Sequence, residues 1–138
     1  MQMSGSKKVP FIVIDTNILF MALYNPIGKA SKIIELTNKG RIKLFSTDTV
    51  RVELLRVIKR ELNIGDDQIK EYVDELPIVW MGKEIYSDFI IKTKVKYKAD
   101  KPLEALSLVL NCEILSADKH FKPVKNRVDI DKLLRDFG

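Results

Sequence analysis

The sequence predicts an α/β protein: a three-layer α/β/α sandwich around a central, mainly parallel sheet. Short apolar runs rich in β-branched residues recur along the chain, as in Phe11-Ile12-Val13-Ile14. Stretches of helical periodicity separate them, so strand and helix alternate. The apolar runs are continuous rather than alternating with polar residues, which is the pattern of strands buried on both faces beneath covering helices.

Taken in order, residues 9–14 read as a buried strand. Residues 17–24 form a short helix, ended by Asn25-Pro26 and Gly28. Residues 30–38 are amphipathic, with Ile33, Ile34 and Thr37 on one side, and Gly40 stops them. Residues 42–45 are a second strand. Thr47 or Asp48 then caps a helix running to about Leu62, and Gly65-Asp66 opens another over 68–75. After Pro77, residues 78–81 are strand-like. Residues 84–97 read mainly as helix, with Ile85, Phe89 and Ile90 supplying its apolar side. A strongly apolar helix follows over 102–110, then a short strand at 113–116. Residues 128–130 suit an edge strand before a last helix to Phe137.

The totals bound the possibilities. A chain of 138 residues, 46% hydrophobic and 31% charged, suits one globular domain over 9–138, with 1–8 as an N-terminal tail. No apolar run approaches the roughly 20 residues that span a bilayer, so no membrane association is expected. The start lacks the apolar segment of a signal peptide, and the single cysteine, Cys112, excludes an intrachain disulfide. Together these predict a cytoplasmic location. The net charge of +5 is compatible with a polyanionic partner such as RNA without requiring one. One histidine and one cysteine exclude a conventional zinc site, so any metal is expected to be held by oxygen.

Four carboxylates stand out. Asp15 ends the first apolar run, and a bare carboxylate at such a place is costly unless paired or metal-bound. It is either the cap of the next helix or an acid held in a site. Glu53 follows Val50 by three and precedes Val57 by four, on or beside the core-facing stripe of its helix. Asp100 precedes Lys101-Pro102 in the manner of a helix cap. It also begins a polar line through Glu104, Ser107 and Asn111 on an otherwise apolar helix, which suggests a cleft. Asp118 follows the late strand in Leu115-Ser116-Ala117-Asp118. Sites in open parallel sheets form outside the carboxyl ends of the strands, where Asp15 and Asp118 fall. Carboxylates gather only if something neutralises them, and a cluster without His or Cys suits Mg²⁺ or Mn²⁺.

Ile14-Asp15-Thr16-Asn17, a helical Glu53 in Val52-Glu53-Leu54-Leu55, and Asp100 followed 18 positions later by Asp118 in Ser116-Ala117-Asp118-Lys119-His120-Phe121 resemble a PIN domain. The resemblance runs from Val9 to about Val124, in order. It implies a metal-dependent endoribonuclease, either a toxin of the VapC type or an RNA-processing nuclease. The resemblance further implies that Asp15, Glu53, Asp100 and Asp118 are catalytic. Asp15, Asp100 and Asp118 would hold Mg²⁺ or Mn²⁺, while Glu53 would position or deprotonate a water. Asn17 and Ser116 would orient the acids, with Glu104 as either a further acid or a supporting partner. RNA is the implied substrate, an antitoxin a possible protein partner, and a homodimer the expected assembly, through exposed apolar residues on the second and fourth helices. The alternative is a non-catalytic PIN-like module that binds RNA or protein.

Lysines at 92, 94, 96, 98 and 101 form either a solvated face or a basic rim for RNA. His120 reads as an ordinary loop histidine in preference to a general acid, and Trp80, Tyr86 and Tyr97 as packing residues. A haloacid dehalogenase-type phosphatase would need an aspartate where Asn17 stands. A phospho-accepting receiver would need an acidic pair beside Asp15 and a lysine at the late strand end.

Overall fold

The computed structural model describes residues 8–138; seven of the eight residues assigned to the tail lie outside the described residues. Five strands form one wholly parallel sheet: β1 (Phe11–Ile14), β2 (Lys43–Thr47), β3 (Ile78–Met81), β4 (Glu113–Leu115) and β5 (Arg127–Val128). Their order is β3-β2-β1-β4-β5. Seven α-helices accompany them among the described residues: α1 (Thr16–Tyr24), α2 (Lys29–Asn38), α3 (Asp48–Glu61), α4 (Asp66–Glu75), α5 (Lys83–Tyr86), α6 (Lys101–Leu110) and α7 (Ile130–Phe137).

The helices fall into two packed groups, and the sheet lies between them. α1 packs on α2 and α3, α2 on α7, and α3 on α4. α6 packs with α5 and across β1, β2 and β4. Ile12, Val13, Ile14, Leu44, Phe45, Ile114 and Leu115 are therefore all buried, which explains why the central strands lack alternation. Thr47 caps α3 by accepting the Val50 N–H at 3.1 Å.

The chain runs outward from β1 through β2 to β3, then returns to the other side of β1 for β4 and β5. Connections leaving β1 and β4 thus diverge, and a crevice opens between their carboxyl ends. This switch point positions the site.

Three expectations change. Residues 84–97 are not mainly helix: α5 is one turn, a 3-10 helix covers Ser87–Lys92, and 93–97 is non-helical. The N–H groups of Lys94 and Val95, which a helix would spend on carbonyls four residues back, donate instead to Glu104 Oε1 at 2.6 and 2.9 Å. Val95 is buried between exposed Lys94 and Lys96, a period of two that helix geometry does not give. Second, the polar line on α6 divides: Asp100 at its start lines a cleft and Asn111 at its end is exposed, while the two residues between form an internal seam. Glu104 and Ser107 are buried, the Ser107 hydroxyl donates to the Glu104 carbonyl at 2.6 Å, and it accepts from Asn126 at 3.0 Å. Third, among the described residues no exposed large apolar residue lies on α2 or α4; they are scattered, and include Met21 and Tyr24 on α1, Ile27 after it, Val52 on α3, Ile85 on α5 and Ile91 beyond it.

Candidate active site

Asp15 is the first residue past β1, where it serves as a helix cap and also faces the neighbouring strand end. It caps α1, Oδ1 accepting the Thr16 N–H at 2.7 Å. Its other oxygen faces the neighbouring strand end, where the buried Ser116 hydroxyl donates to Oδ2 at 2.8 Å. The pairing of β1 with β4 imposes this meeting, since the Asp15 N–H donates to the Leu115 carbonyl at 3.1 Å. The same Ser116 oxygen accepts the Asp118 N–H at 3.0 Å, so one hydroxyl links two of the acids.

Asp100 occupies the position before α6, yet its side chain does not cap the helix. A 3-10 turn at Lys98–Asp100 gives it helical backbone angles, φ −89° and ψ −14°, unlike the extended backbone of a capping residue. The carboxylate is left free to turn outward, and its Oδ2 lies 3.1 Å from His120 Nδ1. Asp118 Oδ1 accepts the His120 N–H at 2.9 Å, which starts the 3-10 turn Lys119–Phe121 and folds the imidazole back across the two acids. His120 Nδ1 is also 3.5 Å from Asp118 Oδ1. The Tyr97 ring rests on the imidazole with centroids 4.3 Å apart.

Glu53 is exposed, on the outer side of the stripe formed by the buried Val50, Leu54 and Ile58. With Asp15 and Asp100 it lines one cleft of about 520 Å³, which Arg56, Lys98 and Phe121 also line. Electrostatics agree with convergence. Burial pushes the Asp15 carboxyl up to about 6, against the hydrogen bonds from Ser116 and Thr16, and the charges of Asp118 and Glu53 add to the rise. Burial also raises Asp100, His120 opposes the rise, and Asp118 and Glu53 again add to it. Asp118 does not line the cleft itself and joins the other acids through Ser116 and His120.

The remaining expected residues divide. Ser116 ties Asp15 to Asp118, as described. Asn17 is exposed and makes no side-chain hydrogen bond among the described residues. Glu104 is held by the Lys94 and Val95 amides and forms part of the α6 seam. Lys101 is half-buried, its Nζ donating to the Val95 carbonyl at 3.1 Å. Lys92, Lys94, Lys96 and Lys98 are exposed, and Lys98 alone of the five lines the cleft. Two contributors were missed. Arg56 lies one turn beyond Glu53, a spacing that could have revealed it. His120 reads from sequence as a loop residue, and only its fold-back beside Asp100 reveals it as part of the cluster.

A larger groove of about 1180 Å³ opens at the amino ends of the strands, beside Phe11, Lys43 and Cys112. Glu113 is its one carboxylate among the described residues, and burial raises the Cys112 thiol to about 11. Among the described residues that end of the sheet holds no cluster of acids.

A family model for the PIN domain matches residues 13–131, a span that contains all four acids. The chain belongs to the PIN domain family. Solved structures similar to this PIN domain include VapBC2 from Rickettsia felis bound to a promoter DNA fragment, at 15% identity and TM-score 0.61 over 86% of this chain and 96% of that one. A toxin–antitoxin complex from Klebsiella pneumoniae matches at 14% and 0.65, over 86% and 97%. VapBC-1 from nontypeable Haemophilus influenzae matches at 13% and 0.64, over 88% and 98%. At such identities the likeness is one of fold. Among curated protein sequences, none matches. No helix among the described residues is long and apolar enough to cross a membrane.

The donor set of this PIN domain fits a divalent cation. Carboxylates that raise one another's pKa in a partly desolvated cleft need a positive charge, and their oxygens suit a hard ion.

Proposed function

We propose that this PIN domain is an endoribonuclease that hydrolyses RNA phosphodiester bonds with the aid of Mg²⁺ or Mn²⁺. The convergence of Asp15, Glu53, Asp100 and Asp118 at the β1/β4 switch point carries the proposal. Asp15, Asp100 and Asp118 hold the cation, directly or through water. When bound, the ion supplies Lewis-acid stabilisation of the phosphoryl oxygens and eases ionisation of water. Glu53, exposed at the cleft wall, accepts the proton of the attacking water. Arg56 and Lys98 line the cleft and have no carboxylate partner among the described residues, which suits them to RNA phosphates. Lys92, Lys94 and Lys96 extend the same charge outside it, whereas Lys101 is spent on its internal contacts.

In a second, finer reading, the protein is the toxin of a toxin–antitoxin pair, favoured by the likeness to the VapBC structures. Under it the single domain over 9–138 acts in the cytoplasm as a homodimer with an antitoxin partner.

The test is RNA cleavage by the purified chain with Mn²⁺ or Mg²⁺, with EDTA, and with Asp15→Asn. Cleavage lost both in EDTA and in the variant supports the proposal. Binding of metal and RNA without turnover would favour the non-catalytic module instead. Cleavage that survives Asp15→Asn would place the chemistry elsewhere.

A further inference from the structure

Asp100, Asp118 and His120 each offer one ligand atom, and these atoms all lie within 4.8 Å of one another. The imidazole arrives from a built arrangement. Asp118 accepts the His120 backbone N–H, the 3-10 turn bends the chain, and the Tyr97 ring backs the imidazole. Nδ1 therefore faces both carboxylates, 3.1 Å from Asp100 and 3.5 Å from Asp118. The side chains are partly shielded, 35% exposed for His120, 19% for Asp100 and 26% for Asp118. A cation placed among these atoms would have one nitrogen donor beside two carboxylate oxygens.

We infer that His120 Nδ1 is a direct ligand of the site cation and makes this PIN domain select a transition metal such as Mn²⁺ over Mg²⁺. The inference rests on the metal-dependent reading above and deepens it. Imidazole nitrogen suits first-row transition ions, whereas Mg²⁺ prefers oxygen and gives up water reluctantly. A carboxylate-only site would leave the choice to cation availability. A nitrogen placed beforehand between two of the acids shifts it toward the transition ion, since the ring is already ordered before metal arrives. Without metal the same nitrogen lies 3.1 Å from Asp100 Oδ2, and binding would replace that contact by a coordination bond, with the ring N–H on Nε2.

The test uses the whole chain, as wild type, His120→Ala and His120→Gln, with Mn²⁺ and Mg²⁺ affinities measured by calorimetry. Pulsed electron paramagnetic resonance of the Mn²⁺-loaded protein is read for ¹⁴N modulation. Expected are a ¹⁴N signal in wild type that vanishes in both variants and Mn²⁺ affinity weaker by about tenfold or more in them. Mg²⁺ affinity should change far less. Bound Mn²⁺ without ¹⁴N modulation overturns the inference, as does an equal loss for both ions. If that Mn²⁺ is lost in Asp118→Asn, the carboxylate site itself still stands. Conversely, a ¹⁴N signal without RNA cleavage sinks the nuclease proposal and leaves the ligand assignment intact. Wild-type protein that binds no Mn²⁺ overturns both.

Discussion

Asp15 shows how a single side chain can serve the helix and the site at once. Its carboxyl titrates near 6 in the fold against 3.8 for the free residue. Between those pH values the native state keeps a proton that the unfolded chain has released. Stability therefore falls as pH rises from about 4 to about 6, by roughly 3 kcal/mol, and the loss persists at neutral pH. Asp15→Asn removes that titration but gives up one of two accepted hydrogen bonds, about 1 kcal/mol, leaving a net gain of about 1–2 kcal/mol at pH 7 in EDTA. Denaturant melts at pH 4 and pH 7 check this; a variant no more stable at pH 7, with the wild-type pH slope, would show that the carboxyl is not desolvated. Ser116→Ala deletes the hydroxyl shared by Asp15 and Asp118. Because it orients two acids, its loss should lower cleavage by about 10–100-fold, while costing about 1–2 kcal/mol of stability. Near-wild-type turnover in that variant would mean the acids are oriented without it.

At the scale of elements, α6 and the loop before it form one unit. Glu104 serves as an anchor for that loop, accepting two backbone N–H groups from a buried position. Glu104→Ala leaves those amides unpaired and should destabilise the fold by about 2–4 kcal/mol. Hydrogen exchange should speed up at Lys94 and Val95. Glu104→Gln keeps an oxygen acceptor and should be milder. If Glu104 were instead a metal acid, Glu104→Gln would abolish cation binding while exchange at 93–97 stayed slow. The loop also explains the misjudged helix. Composition favoured helix over 84–97, but a buried carboxylate ten residues downstream in sequence claimed the amides. Tertiary contact overrides local preference here because a buried Glu with two short hydrogen bonds outweighs the small helix propensity of Thr93 and Val95.

For the whole molecule, the cation should act as a staple. Like-charged carboxylates from β1, β4, α3 and the start of α6 repel in the apo protein, so metal binding relieves strain between separate segments. At a cation concentration of about 100 Kd, linkage adds about 2.7 kcal/mol, which for a chain of this length means a Tm higher by about 10 °C. EDTA should reverse the rise, and Asp118→Asn should abolish it. A Tm indifferent to Mn²⁺ and Mg²⁺ alike would show that the acids do not share an ion.

By itself, the sequence determined the layered α/β architecture, because apolar runs buried on both faces leave few other arrangements. It also offered four candidate acids in order: each has an ordinary local explanation, as cap, boundary residue or loop aspartate, and only the set of two at strand ends and two on flanking helices draws the eye. Only the tertiary structure decided which of them meet. Strand order is a long-range property, and placing β4 beside β1 is what joins Ser116 to Asp15. Asp100 could be read from sequence as a cap because capping is local; its release toward His120 depends on the Lys98–Asp100 turn. His120 stayed hidden for the same reason, its partner Asp100 being distant in the chain, whereas Arg56, one turn from Glu53, was legible in the helix spacing. Local pattern fixes what a segment can bury, but the meeting of charges depends on which segments the sheet brings side by side.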